Sequence, residues 1–220
     1  MDRLVKSPDY NSHSGTRLRA GNNNDMRFLS LAICVVVLCV VSGRAQNEHW
    51  CFVDGSDLAD RSAPTFQQYR TGSSPPFLPA QLDFQSNPLA KRYRTAISEE
   101  IMHGPNFAGQ YRVAIWGCGT SCAQFAVVNL KTGRVITLKG IDGVAYVDFN
   151  TDNFLPQTDS EGYGFRFKKD SNLLVLIGTL VPRHSSKGKI EEGASYYVLK
   201  DEELQFIHRT PVTHRTCREE

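Results

Sequence analysis

From Tyr111 onward the chain is a succession of short apolar runs broken by turn residues, with no helical period, and this restricts the fold more than any other feature. "YRVAIWG" (111–117) alternates Tyr111, Val113 and Ile115 against Arg112, Ala114 and Trp116, the period of a half-buried strand. "AQFAVVNL" (123–130) is apolar almost throughout, as a central strand would be. "NLKTGR" follows, with Gly133 where a hairpin loop wants positive φ. "RVITLKG" (134–140), "VAYVDF" (144–149), "YGFRFKK" (163–169) and "NLLVLIGTLV" (172–181) continue the pattern. "ASYYVLKDEELQFIHRT" (194–210) reads as a hairpin turning at Lys200-Asp201-Glu202-Glu203. Strands repeating at roughly 8 to 12 residues predict a mainly β fold. The expected form is a single antiparallel meander curled into a sandwich or barrel-like sheet.

One short α-helix is expected before the first core strand. In "RYRTAISEEIMHG" (92–104), Tyr93, Ala96, Ile97 and Ile101 share a side at helical spacing, and Gly104-Pro105 is a stop. Residues 46–90 are rich in proline and lack a sustained period. They predict an irregular arm, with a short strand near Leu82–Phe84. The β domain proper is expected over 91–217.

The start of the chain is of another kind. Residues 1–25 are polar and rich in Asn, Ser and Gly, a composition that does not build a core. "FLSLAICVVVLCVV" (28–41) follows Arg27 and precedes Ser42-Gly43-Arg44-Ala45. A basic flank, a short apolar run and small residues at a cleavage site make 26–45 a signal peptide, cut after Ala45. The run is shorter than the ~18 to 20 residues that cross a bilayer. The alternative is a membrane anchor through 28–41. Met26 would start a complete signal peptide of its own, which makes 1–25 an extension ahead of the true start. A periplasmic or secreted location follows.

Six of the 25 basic residues and three of the 23 acidic ones fall in residues 1–45, which leaves 19 against 20 in the rest. A near-neutral body gives no footprint for nucleic acid. Membrane contact is expected only through the signal segment, if it stays uncleaved.

Export makes disulfides available. Cys34 and Cys39 leave with the signal peptide, and Cys51, Cys118, Cys122 and Cys217 remain. Four cysteines allow three pairings. Cys118 and Cys122 flank Gly119-Thr120-Ser121, between two β runs. A structural bond closing this loop is expected, with Cys51–Cys217 as the remainder near the two ends of the mature chain. The competing readings are a redox pair, a nucleophilic cysteine served by His103, and a metal clip. A redox pair favours C-x-x-C at a helix start. Zinc wants four ligands, and only two are grouped.

"GPNFAGQYRVAIWGCGTSCAQFAVVNLKTGRV" (104–135) resembles a set of small exported bacterial proteins of unknown function. They carry a helix, then GPNFAGxY, WGCGTxC and a TGxV hairpin. "GYGFRFKKDSNLLVLIGT" and "GASYYVLKDEELQFI" are similar to later parts of the same set, so the resemblance covers roughly 92–208. It implies export and no particular activity, catalytic residue or cofactor. Some members place a cysteine before the aromatic strand, where this chain has Gly193-Ala194-Ser195.

Two further features bear on function. Asp148, Asn150, Asp152 and Asp159 in "DFNTDNFLPQTD" approximate the spacing of a calcium loop, without its glycine, its final Glu or flanking helices. A polar loop is the plainer reading. Trp116, Phe107 and Tyr111 are the aromatic residues expected to line a ligand surface beside the Cys118 loop. Glu99-Glu100 and Glu191-Glu192 are sequence neighbours, which point in different directions in a helix or strand. G-x-S-x-G, P-loop and H-E-x-x-H motifs are absent. The expected function is therefore an exported non-catalytic β module, stabilised by disulfides, that binds a protein, glycan or small ligand. No cofactor and no catalytic residue is assigned. The alternative is an enzyme with a site around Trp116–Cys122.

Overall fold

An apolar run buried on both faces has to lie inside a sheet, and Leu173–Pro182 does so. In the computed structural model this run is β8, and Leu173 through Gly178 are all buried. The described residues are 50–72, 74–150, 154–155, 164–183 and 191–218. They fall within one unit, Glu48–Glu220. The segments expected as an extension and a signal peptide, 1–25 and 26–45, lie outside the described residues.

The fold is mainly β, with an eight-stranded antiparallel sheet at its centre. Its members are β2 (Tyr111–Gly119), β3 (Cys122–Asn129), β4 (Val135–Ile136), β5 (Ile141–Ala145), β7 (Phe165–Arg166), β8, β9 (Glu192–Lys200) and β10 (Glu203–Pro211). The order is β10-β9-β8-β5-β3-β2, with β4 on β3 and β7 on β8, so the main path is a meander. The sheet does not close. Leu174 and Leu176 of β8 pack with Val113, Phe125, Val127, Val144, Phe165 and Tyr197 in one core. Leu173, Val175 and Ile177 point the other way, onto Val53, Leu58, Phe154 and Tyr196. This two-sided burial is why the run carries no polar alternation.

The helix expected over 92–104 forms at Arg94–Ile101, and a shorter one not expected from the sequence precedes it. Asn87 caps α1 (Pro88–Arg92) by accepting from Leu89 N at 3.0 Å, with Pro88 in the first turn. After a break at Tyr93, α2 (Arg94–Ile101) buries Ile97 and Ile101 against Ala126 and Val128 of β3. Arg112 of β2 holds the end of α2. Its Nε and Nη2 donate to Glu100 at 3.0 and 2.8 Å, and its Nη1 donates to Gly104 O at 3.0 Å.

The arm is more structured than its composition predicts. β1 (Trp50–Asp54) pairs antiparallel with β11 (Thr216–Arg218) and parallel with β6 (Phe149–Asn150), making a second, three-stranded sheet. "VAYVDF" is accordingly not one strand. β5 ends at Ala145, Val147 is exposed, and the carbonyl of Asp148 accepts from Val53 N at 2.7 Å. No strand forms at Leu82–Phe84. Leu82 is buried under α2, and Asp83 N donates to Gly133 O at 2.9 Å. Gly133, at φ 75°, has the backbone of Gln81 pressed against it; an added Cβ would lie 1.9 Å from Gln81 O. The arm and the hairpin thus fit together only because residue 133 has no side chain.

The β9–β10 hairpin turns at Asp201 and Glu202, both with positive φ. Two such residues make the turn type whose twist suits a hairpin. Non-glycine residues resist this conformation, but Glu202 gains partners here. Its carboxylate accepts from Asn129 Nδ2 at 2.8 Å and pairs with Arg134 at 2.9 Å.

Two disulfides close the structure. Cys51 and Cys217 face each other across β1 and β11, with Cα atoms 4.0 Å apart and a sequence separation of 166. Cys118 and Cys122, four apart in sequence, are joined at the tip of the β2–β3 hairpin, with Cα atoms 5.2 Å apart. Loop-closure entropy makes the long loop worth about 5 kcal/mol and the short one about 2 kcal/mol. Replacing Cys51 and Cys217 with Ser should therefore lower the denaturation midpoint clearly more than replacing Cys118 and Cys122. Equal losses in urea unfolding would contradict this.

Candidate functional site

Three places gather side chains that could do chemistry. The first is the hairpin tip. Cys118, Gly119 and Thr120 are exposed. With the sulfurs bonded to each other, neither is the thiolate that nucleophilic attack or metal binding requires. His103 is exposed in the turn after α2. A cavity of about 220 Å³ lies beside the tip, lined by Trp116, Cys122 and Tyr146 among others. That is below the roughly 300 to 1,000 Å³ of sites for small molecules.

The aromatic surface expected from Trp116, Phe107 and Tyr111 does not exist as a single face. Phe107 is fully buried and packs edge-on to Phe167, 6.4 Å between centroids. Tyr111 belongs to the same side of β2 as Val113 and packs on that core. Trp116 lies on the opposite side, its ring 4.9 Å from that of Tyr93 and its Nε1 donating to Gln124 at 3.0 Å. Strand alternation separates odd from even residues, so Trp116 and Tyr111 cannot meet one ligand face.

Of the residues proposed for calcium, the two that lie among the described residues have protein partners. Asn150 sits in β6, where its Nδ2 donates to Asp54 Oδ2 at 3.3 Å. Asp148 Oδ2 lies 4.0 Å from Arg215 Nη1. Asp152 and Asp159 lie outside the described residues. Among the described residues, no group of three or more His, Cys, Asp or Glu is placed to hold a metal ion.

The second place is centred on Asp60. Its Oδ1 accepts from the backbone N of Ser62 at 2.8 Å and from Ser62 Oγ at 2.6 Å. Its Oδ2 accepts from His208 Nε2 at 2.8 Å and from Thr210 Oγ1 at 3.1 Å. Ser62, then His208, hold the carboxyl well below the usual carboxylate range. Tyr196 stands edge-on to His208 at 5.4 Å. A serine, a histidine and an aspartate are thus together, but the aspartate is in the middle. Acyl transfer needs the histidine between the other two. Asp60 instead ties the turn at 60–63 to β10. An adjoining cavity of about 580 Å³ includes Leu58, Pro64, Phe154 and Tyr196 in its wall. Asp60, one of several polar groups in that wall beside Asp54, Ser56, Arg61 and Thr65, already accepts these four bonds.

The third place is a cavity of about 500 Å³ over β8, β9 and β10. Its apolar wall is Leu138, Ile141, Leu180, Leu204 and Phe206. Its polar groups are Lys139, Glu191, Tyr197 and Arg209. Arg209 pairs with Glu191 and lies over the Phe206 ring, 5.7 Å from the centroid. Its Nε is buried and has no hydrogen-bond partner among the described residues. Such an atom is costly in a folded protein and calls for an explanation. Burial raises the Tyr197 phenol above its ordinary value, with Arg209 opposing the shift and Glu191 adding to it. Tyr197 therefore keeps its proton at neutral pH.

A β-bulge assembles this third place. The pairing of β10 with β9 shifts between Phe206 and His208. Phe206 faces Tyr197, His208 faces Tyr196, and Arg209 faces Ser195. Strict alternation would put His208 beside Phe206 and turn Arg209 away. The bulge sends His208 to Asp60 and Arg209 to the cavity. The sequence identifies Tyr197 only as a strand aromatic, and Arg209 escapes it because no periodic signal marks a bulge; nothing local marks Lys139.

Comparison with family models, with curated proteins and with solved structures finds no match.

The Asp60 clamp makes a pH prediction. A carboxyl held below its ordinary value stabilises the fold above that value, and the contribution is lost as pH falls toward the folded pKa. Asp60→Asn keeps an acceptor for Ser62 N but removes the charge. The Tm gap between wild type and this variant should be widest at neutral pH and narrow below about pH 4. A gap that widens on acidification would show that Asp60 is not held in its charged form.

Proposed function

We propose that this chain is an exported, disulfide-braced β module that binds a small molecule in the β8–β10 cavity and releases it unchanged. The observation that carries the reading is the makeup of that cavity. About 500 Å³ of space has five apolar side chains in its wall and a few convergent polar groups, including a half-buried arginine whose Nε has no partner among the described residues. Of protein, glycan and small ligand, an open space of this size with a mixed apolar and polar lining suits the last. The Asp60 cavity is comparable in volume, but the Asp60 carboxylate in its wall already accepts four hydrogen bonds, and among the described residues no side chain lining it has a buried polar atom without a partner.

Export is supported by the apolar run at 28–41 with its small-residue end, and by two disulfides of a kind that persists in oxidising compartments. The likeness of 92–208 to small exported bacterial proteins points the same way. No helix among the described residues is long and apolar enough to cross a membrane.

A neutral solvent-sensitive dye such as Nile red should brighten on binding to the mature protein. Leu204→Trp, which fills the cavity from its rim, should abolish the signal while circular dichroism stays β-rich. Undiminished binding to that variant would place the dye elsewhere and remove the support for this site. Export has its own check: the intact mass of exported protein should correspond to a chain starting at Gln46. A membrane-held product that retains Leu31–Val41 would defeat it.

A further inference from the structure

We infer that the β8–β10 cavity selects an amphiphile with one anionic head group, such as a carboxylate, on an apolar body. The inference rests on the binding role proposed above and adds the chemistry of the ligand.

The polar groups of the cavity are unequal in kind. Lys139 and Arg209 are cations, and Glu191 is the single carboxylate among the lining residues. Glu191 is committed to Arg209. Lys139 is exposed and has no ion-pair partner among the described residues. Among the described residues, one positive charge is therefore left over at the cavity wall. Arginine and lysine side chains only donate hydrogen bonds. Tyr197 is protonated at neutral pH, because burial raises its phenol, and Arg209 beside it has no lone pair to take that proton. The lining thus offers donors from three side chains and an excess positive charge. A ligand group that answers both must be an anionic acceptor. The remainder of the wall, Leu138, Ile141, Leu180, Leu204 and Phe206, has nothing to offer a polar body and requires an apolar one.

The test is displacement of Nile red from the mature protein by three ten-carbon probes that share a tail: decanoate, decanol and decyltrimethylammonium. Decanoate should compete best and decyltrimethylammonium worst, and the advantage of decanoate should shrink as salt is added. Lys139→Gln, at an exposed position, should weaken decanoate by about tenfold, the effect of one charge-assisted hydrogen bond, and leave decanol unchanged. Tyr197→Phe should weaken decanoate in the same direction. Retained Nile red binding shows that each variant still forms the cavity. If decanol competes as well as decanoate, or the cation competes best, head-group selection is overturned while the binding role stands. If neither variant alters the preference for decanoate, these residues do not form the head site and the inference fails. If Nile red and all three probes fail to bind, the binding role fails and the inference falls with it.

Discussion

Everything in this fold is arranged around a strand that cannot show either face to water. β8 is buried from Leu173 to Gly178, and its alternate side chains enter two different cores. One core is made by the sheet curling over Leu174 and Leu176. The other has to be supplied from elsewhere, and the early segment of the chain supplies it. Val53 of β1, Leu58 of the following turn and Phe154 pack onto Leu173, Val175 and Ile177. Without that cover, several large apolar side chains would lie open, each worth about 1.5 to 3 kcal/mol when buried. What looks in sequence like a loose arm is therefore a lid on the central strand.

That division also explains why two polar sites can sit side by side on β10 without interfering. His208 and Arg209 are adjacent in sequence, yet one serves the Asp60 clamp and the other the β8–β10 cavity. Outside a bulge, neighbours in a strand point to opposite faces. The bulge before His208 decides which neighbour goes where. It is a one-residue device with consequences on both sides of the sheet.

The parts of the fold that were readable in sequence are those where local pattern and final environment agree. The alternation at Tyr111–Trp116 survives as the two faces of β2, and the glycine in "KTGR" does turn a hairpin with positive φ. The helix was legible from Ile97 and Ile101, although its break at Tyr93 was not. The failures have a common cause in long-range pairing. "WCFVD" is too short to announce itself, and it becomes a strand only because 149–150 and 216–218 flank it. "VAYVDF" looks continuous because its residues are all strand formers, yet Asp148 is recruited by Val53 and the run is cut in two. Phe107 was read as a surface aromatic, since nothing local distinguishes it from one, and it is fully buried. Of the candidate site, only its apolar residues could be anticipated as strand positions. Arg209 could not, because a bulge leaves no periodic trace.

The Cys51–Cys217 bond has a mechanical meaning as well as a thermodynamic one. It joins residues close to both limits of the described chain, so 166 residues of sequence separation are enclosed by one covalent link. Tension applied between residues 50 and 218 would run through that link and through little else. The sheet between them would feel almost none of it, and the strands of the meander would not be peeled apart in sequence. A domain wired in this way can be pulled at its ends and keep the β8–β10 cavity in shape. Reduction of that single bond would move the whole load onto the β1–β11 and β1–β6 pairings, a few backbone hydrogen bonds at the margin of the structure.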